Sequence, residues 1–253
     1  MSLIYHQNAF DLLPLAPRFS AERAAEVALF ELQYGLKLPA AYRELYCLGG
    51  IREFLFRYGN QDDFLTLENY GKHEEFQAYR QRDKMFVFSV ENQYTAFWAF
   101  PLNGADNPPV FVAYDADELI WQPLTDTLSE YFFLWSWDTQ PAGQGWYWAQ
   151  LKLTGRFPGL IAAIEEHFPQ AWPVKAYDSP RREFYRFAGR TPQQSLSVLL
   201  LENEAIIRLA AAADVTFYAQ IRSVEQALSA EVRGALHGFN SKTRAYLNHL
   251  NHL

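Results

Sequence analysis

Two groups of carboxylates, a thiol and a pair of histidines are the residues of this 253-residue chain whose types could do chemistry. Asp62 and Asp63 are followed by Glu68, Glu74 and Glu75, and a second group holds Asp115, Asp117 and Glu118. Paired carboxylates perform acid–base work when their surroundings drive their pKa values apart. Here the flanking sequence is polar, so a solvated face is the default reading. The sharper reading is an acidic patch of Asp62, Asp63, Glu68, Asp115, Asp117 and Glu118 that contacts a basic protein. Cys47 is the one cysteine, next to an apolar helical stripe, and reads as a buried, inert thiol. His249 and His252 have the spacing of a metal pair on a helix, but no third ligand accompanies them, and a frayed tail is the preferred reading. No G-x-S-x-G elbow, P-loop, G-x-G-x-x-G or H-E-x-x-H occurs. No catalytic residue, metal or cofactor is therefore expected, and the chain is read as a non-enzyme.

Five large aromatics, Trp135, Trp137, Trp146, Tyr147 and Trp148, lie close together in sequence. They suit interface anchors or a hydrophobic contact locking two halves of the chain together, and the second reading is preferred. Stacking on nucleic acid is disfavoured because Lys and Arg are not interleaved with them. Charge points the same way. Residues 1–140 hold 20 acidic against 10 basic residues, a balance of −10, whereas residues 141–253 hold 9 against 12. A duplex wants a basic footprint, so nucleic acid is not an expected partner. An acidic first part suits a basic protein partner or serves solubility.

Behind these residues must stand a folded scaffold. With 49% hydrophobic and 17% aromatic residues, the chain can bury a core without a disulfide. The start "MSLIYHQNAF" lacks the features of a secretory signal, and no run of about 18 apolar residues occurs. A cytoplasmic protein without a membrane segment is expected.

The spacing predicts a helix over 20–34, with Ser20 as N-cap and Val27, Phe30 and Tyr34 on one face, closed by Gly35. Pro39 sits where a second helix would begin, with Leu38, Tyr42, Leu45 and Tyr46 as its apolar stripe and Gly49 and Gly50 as its stop. "ENYGKHEEFQAYRQR" reads as partly helical. "KMFVFSVEN", "YTAFWAF" (Tyr94, Ala96, Trp98 and Phe100 on one face), "PPVFVAYD" and a weaker "ELIWQPL" read as strands of an antiparallel meander. "TDTLSEYFFLWSW" follows as a helix capped by Thr127 or Asp126. "DTQPAGQGW" is the best boundary, dividing a domain over 1–140 from an α+β extension over 141–253. In the extension "FPGLIAAIEEHF" reads as helix, "FYRFAG", "SLSVLLLEN" and "EAIIRLAAAA" as strands, and "VEQALSAEVRGAL" as a last helix. Helices followed by a run of strands indicate α+β in place of alternating α/β.

The run "ELQYGLKLPAAYRELYCLGG", through Glu31, Gly35, Leu38, Pro39, Tyr42, Leu45 and Gly50, resembles the N-terminal signature of the SUKH superfamily, the Smi/Knr-like proteins abundant among bacterial immunity proteins. Gly49 departs from it, standing where that family usually has a polar residue. "MFVFSVENQYTAFWAF", "DNPPVFVAYD" and "TLSEYFFLW" follow in the family's order, so the resemblance covers roughly residues 20–137. It implies an α+β fold with helices packed on a mostly antiparallel sheet, a structural role for Glu31, Gly35, Leu38, Pro39, Tyr42 and Gly50, and a binding role in place of a catalytic one. Bacterial members typically neutralise polymorphic toxins, often nucleases or deaminases, by direct contact. The resemblance thus implies a cognate toxin as the protein partner, and the alternative is a regulatory adaptor for an endogenous protein. Oligomeric state is left open, since an exposed sheet edge could pair.

Overall fold

A computed structural model describes residues 3–59, 62–114, 120–143, 145–156, 159–168, 170–171, 175–179, 182–188, 194–213, 216–217, 219 and 236–239. The chain divides into two compact units, Met1–Gly143 and Gln144–Leu253. Both combine helices with antiparallel sheet, an α+β fold. Among the described residues no helix is long and apolar enough to cross a membrane.

The first unit opens with four helices: α1 (Gln7–Phe10), α2 (Ala21–Tyr34), α3 (Ala40–Tyr46) and α4 (Ile51–Tyr58). Their ends follow from residue chemistry. The Ser20 hydroxyl accepts from the Arg23 amide at 3.2 Å and starts α2. Gly35 closes it at φ 58°, a left-handed conformation that glycine adopts without steric penalty. The Glu31 carboxylate then accepts from the Leu38 amide at 2.7 Å, fixing the turn into α3. Pro39 stands just outside α3, one place before the first helical residue. The stop at Gly50 is also a start: at φ 81° it reverses the chain directly into α4. That helix carries its own apolar stripe, Ile51, Phe54 and Leu55, all buried. The N-terminal segment is tied to α3 by Glu44, whose carboxylate accepts from the amides of Ile4, Tyr5 and His6 at 2.7, 2.9 and 3.0 Å.

Next come β1 (Asp63–Phe64), α5 (Leu67–Lys72) and α6 (Glu74–Asp83), then β2 (Met85–Val90), β3 (Phe97–Pro101), β4 (Val110–Ala113) and β5 (Gln122–Thr125), and finally α7 (Leu128–Gly143). The strands pair antiparallel in the order β1-β2-β3-β4-β5. β3 begins at Phe97, not at Tyr94. Tyr94 instead lies in the turn closed by the Glu91 amide on the Ala96 carbonyl at 2.8 Å, so it belongs to the hairpin tip. Every residue of β2 is buried. Around Tyr42, which is 0% exposed, the rings of Phe100, Phe86, Tyr46, Phe64 and Phe88 lie with centroids 5.2 to 6.4 Å away. Each such buried ring contributes about 1.5–3 kcal/mol of transfer free energy, so this cluster is the core on which the helices seat. The "DNPP" segment ties its pieces together. The Asp106 carbonyl accepts from Ala41 of α3 at 2.9 Å, and the Asn107 side chain bonds both the amide and the hydroxyl of Ser129 in α7. Thr127 caps α7 through the Glu130 amide at 3.1 Å, and the helix runs on through Pro141.

The second unit comprises β6 (Tyr147–Thr154), α8 (Leu160–His167), β7 (Gln170–Ala171), β8 (Lys175–Ser179), β9 (Arg182–Ala188), β10 (Gln194–Leu201), β11 (Glu204–Ala211) and β12 (Leu236–Phe239). Its antiparallel sheet runs β12-β6-β11-β10-β9-β7, with β8 also paired to β9. Ala149, Leu151 and Leu153 alternate along β6 and share a core with Leu160 and Ile164 of α8, Phe187, Leu196, Val198, Ile207 and Phe217. The expected last helix over 224–236 falls outside the described residues, save Leu236, which opens β12.

Candidate functional site

The first unit bears an open cleft of about 640 Å³ lined by Arg52, Glu53, Phe56, Asp63, Val90, Glu91, Asn92 and Tyr94. Three elements build it, α4 and β1 close together in sequence and the β2–β3 hairpin well beyond them. α4 turns Ile51, Phe54 and Leu55 inward, which leaves Arg52, Glu53 and Phe56 facing outward. β1 contributes Asp63, and the β2–β3 hairpin contributes Glu91, Asn92 and Tyr94.

The hairpin tip is organised by Glu91. One of its carboxylate oxygens, Oε2, accepts from the Gln93 amide at 2.6 Å and from the Thr95 hydroxyl at 3.1 Å. Tyr94 is held at φ 61°, a conformation that bulky residues rarely adopt. Its ring stands edge-on to Phe97 at 6.4 Å, and the residue stays 47% exposed. Phe56 is 52% exposed. The cleft therefore presents two large rings to solvent beside three carboxylates and one guanidinium.

That guanidinium is engaged. Arg52 donates to Asp63 Oδ1 from Nη2 at 2.8 Å and from Nε at 3.2 Å, and among the described residues both bonds to the Asp63 side chain fall on Oδ1. Glu53 approaches Arg23 only at 3.7 Å, with its side chain largely exposed. Glu53, Asp63 and Glu91 against Arg52 give the lining a formal net negative charge, and pairs this open to water are worth about 0–1 kcal/mol.

The acidic residues expected to act as one patch are distributed differently. Asp63 lines the cleft. Its neighbour Asp62 lines a separate cavity of about 20 Å³ with Leu45, Leu55, Phe64, Phe88, Ser89, Tyr131, Phe132 and Trp135. Burial there, and next the charge of Glu91, push the Asp62 carboxyl above the usual carboxylate range, against a hydrogen bond from the Asn92 backbone that acts the other way. Glu68 lies on α5 and pairs with Lys72 four residues on, both exposed. Asp115, Asp117 and Glu118 lie outside the described residues. Glu75 bonds His73 Nδ1 at 2.9 Å. Arg52, Glu53, Phe56, Glu91 and Tyr94 are residues that sequence reasoning did not bring together. The outward positions of "IREFLFRY" were the available signal, because its i, i+3, i+4 apolar spacing defines which face is left over.

The remaining candidates that fall among the described residues take structural places. Cys47 is buried, which raises its thiol above its usual range. Trp135 stacks on Phe132 at 6.2 Å and stands edge-on to Phe54 at 6.4 Å within the first unit. Tyr147 stacks on Phe217 at 6.0 Å within the second. His249 and His252 lie outside the described residues. Tyr46 donates to Glu26 at 2.7 Å and accepts from the Leu67 amide, and burial pushes its hydroxyl up to about 12. Among the described residues no group of three or more His, Cys, Asp or Glu could hold a metal ion.

Residues 23–133 match the model of the SMI1 / KNR4 family (SUKH-1), a span that contains α3, α4, the five-stranded sheet and every residue of the cleft. No curated protein and no solved structure matches the chain.

Proposed function

We propose that the first unit, which through residues 23–133 belongs to the SUKH superfamily of immunity-like, protein-binding modules, is a non-catalytic immunity domain that binds and neutralises a cognate toxin. The observation that carries this reading is the cleft, where Phe56 and Tyr94 are exposed beside the carboxylates of Glu53, Asp63 and Glu91. Exposed rings beside like charges are poor for a surface with nothing to bind, and aromatics with complementary charge are what tight protein partners use as anchors. The partner that fits is basic. Nuclease and deaminase toxins carry a cationic face for nucleic acid, and an acidic module seated there competes with the substrate. Electrostatic steering would also speed the encounter.

The test is affinity capture of the full chain from its native lysate, with mass spectrometry of what is retained at 1:1. A basic toxin domain whose activity falls on adding the chain is the expected result. A retained housekeeping protein with no toxic activity would favour the adaptor reading and overturn neutralisation. A chain that retains no protein would remove the protein-binding reading itself.

A further inference from the structure

The shape and charge of the cleft narrow what can enter it. Two flat, exposed rings, Phe56 on α4 and Tyr94 on the hairpin tip, line the same volume from different elements. Asp63 lines it too, with Oδ1 already taken by Arg52, which leaves Oδ2 as an open acceptor among the described residues. Glu53 adds a carboxylate held only at 3.7 Å by Arg23. Glu91 has its Oε2 committed to the tip, so its main effect on the cleft is its charge. Apolar groups alone would leave these carboxylates desolvated and uncompensated, and an anion would be repelled.

A planar cation meets all of these conditions. A guanidinium stacks on aromatic faces and also donates in a fork to carboxylates, whereas an ammonium is a compact, strongly hydrated point charge. A volume of about 640 Å³ is ample for one such side chain with its flanking backbone. Resting on the reading of the first unit as a protein-binding module, we propose that the cleft is the socket for an arginine side chain of the protein partner. Phe56 and Tyr94 flank the guanidinium, and Asp63 and Glu53 accept its hydrogen bonds. Glu91 acts as a positioning residue, fixing the tip that carries Tyr94.

Tyr94 offers a clean perturbation. Tyr94→Gly removes the ring and relieves the left-handed backbone, so the fold is kept or strengthened while binding is lost. The experiment is an NMR amide titration of the full chain with N-acetyl-arginine amide, N-acetyl-lysine amide and N-acetyl-citrulline amide. The arginine probe is expected to shift amides at 52–56, 63 and 90–94, with millimolar or weaker affinity, as suits about one cation–π contact and an exposed ion pair. Citrulline, its neutral isostere, should shift none of them. Tyr94→Gly and Phe56→Ala should each weaken the arginine probe at least about threefold, and raising the salt should weaken it further.

Equal shifts from citrulline, or arginine shifts confined to other surfaces, overturn the socket. Equal binding of the lysine probe overturns the guanidinium assignment. Undiminished binding to Tyr94→Gly overturns the role of the ring. These failures are separable from failure of the underlying reading. If the probe misses the cleft but the chain still captures a partner through its first unit, the socket falls and the module stands. If no protein is captured at all, the module falls whatever the probe does.

Discussion

Tyr42→Phe should stabilise the first unit, although it deletes a polar group at a position of the family-like motif. The Tyr42 side chain is fully buried among Tyr46, Phe64, Phe86, Phe88 and Phe100, and among the described residues its hydroxyl has no hydrogen-bond partner. Burial pushes its pKa well above the usual tyrosine range. A hydroxyl moved from water into such a site without a partner costs about 1–3 kcal/mol. Removing one oxygen leaves a void smaller than a methyl group, with a penalty of under about 1 kcal/mol. The balance is a gain of about 1 kcal/mol. By contrast, Tyr42→Ala should lose about 3–5 kcal/mol, because the cage cannot collapse around the missing ring. Urea unfolding of the full chain, followed by near-ultraviolet circular dichroism, reads both changes. The slope for the transition of the first unit should stay unchanged, so that the midpoint reports stability alone. Partner capture should be unaffected by Tyr42→Phe, since the ring lies in the core and not in the cleft. A loss of more than about 1 kcal/mol in Tyr42→Phe would refute the reasoning, because it would mean that the hydroxyl is engaged in the native state.

Other consequences follow from neighbouring groups. The raised pKa of Asp62 means that the folded state favours its protonated form, so its charge destabilises the fold as pH rises from 3.8 through the folded pKa. Asp62→Asn should therefore raise the melting temperature at pH 7 and lose this advantage at low pH, as read by thermal melts across that range. His6 is the opposite case. It is buried, donates from Nε2 to the Ala41 carbonyl at 2.9 Å, and burial lowers its pKa below 6.5 despite that bond and Glu44. Its folded form stays neutral, so stability should fall as pH drops below 6.5 toward the folded value. That dependence should flatten in His6→Gln, measured by urea midpoints. Asn107→Ala removes two hydrogen bonds to Ser129 at the start of α7 and should cost about 1–2 kcal/mol in the same assay.

The punctuation of the first helices was legible because single residues impose it. Ser20 has the oxygen that α2 needs, Gly35 the permissive backbone, and Leu38, Tyr42, Leu45 and Tyr46 the spacing of a buried face. The strands from Met85 to Thr125 were legible through β-prone runs separated by short turns. α4 was missed because Gly50 was read only as a stop, when at φ 81° it also launches the next helix. β6 is hard to read from sequence because the large aromatics at its start, Tyr147 and Trp148, break the alternation that Ala149, Leu151 and Leu153 carry. Tyr94 was counted as a strand residue, and only the closing bond from Glu91 to Ala96 takes it out of the strand. The cleft was the least legible feature. Its residues come from positions 52–56, 63 and 90–94, and nothing local says that the outward face of α4 will meet the hairpin tip. Adjacent Asp62 and Asp63 read as one charge pair, yet they line different cavities, as neighbours in extended backbone do.

The most direct measurement is hydrogen–deuterium exchange on the 1:1 complex captured by the full chain, compared with the free chain. An acidic, aromatic docking cleft predicts slowed exchange at 52–56, 62–63 and 90–95, with the Tyr42 core unchanged. Protection confined to the second unit, or to faces of the first unit away from the cleft, would contradict the account.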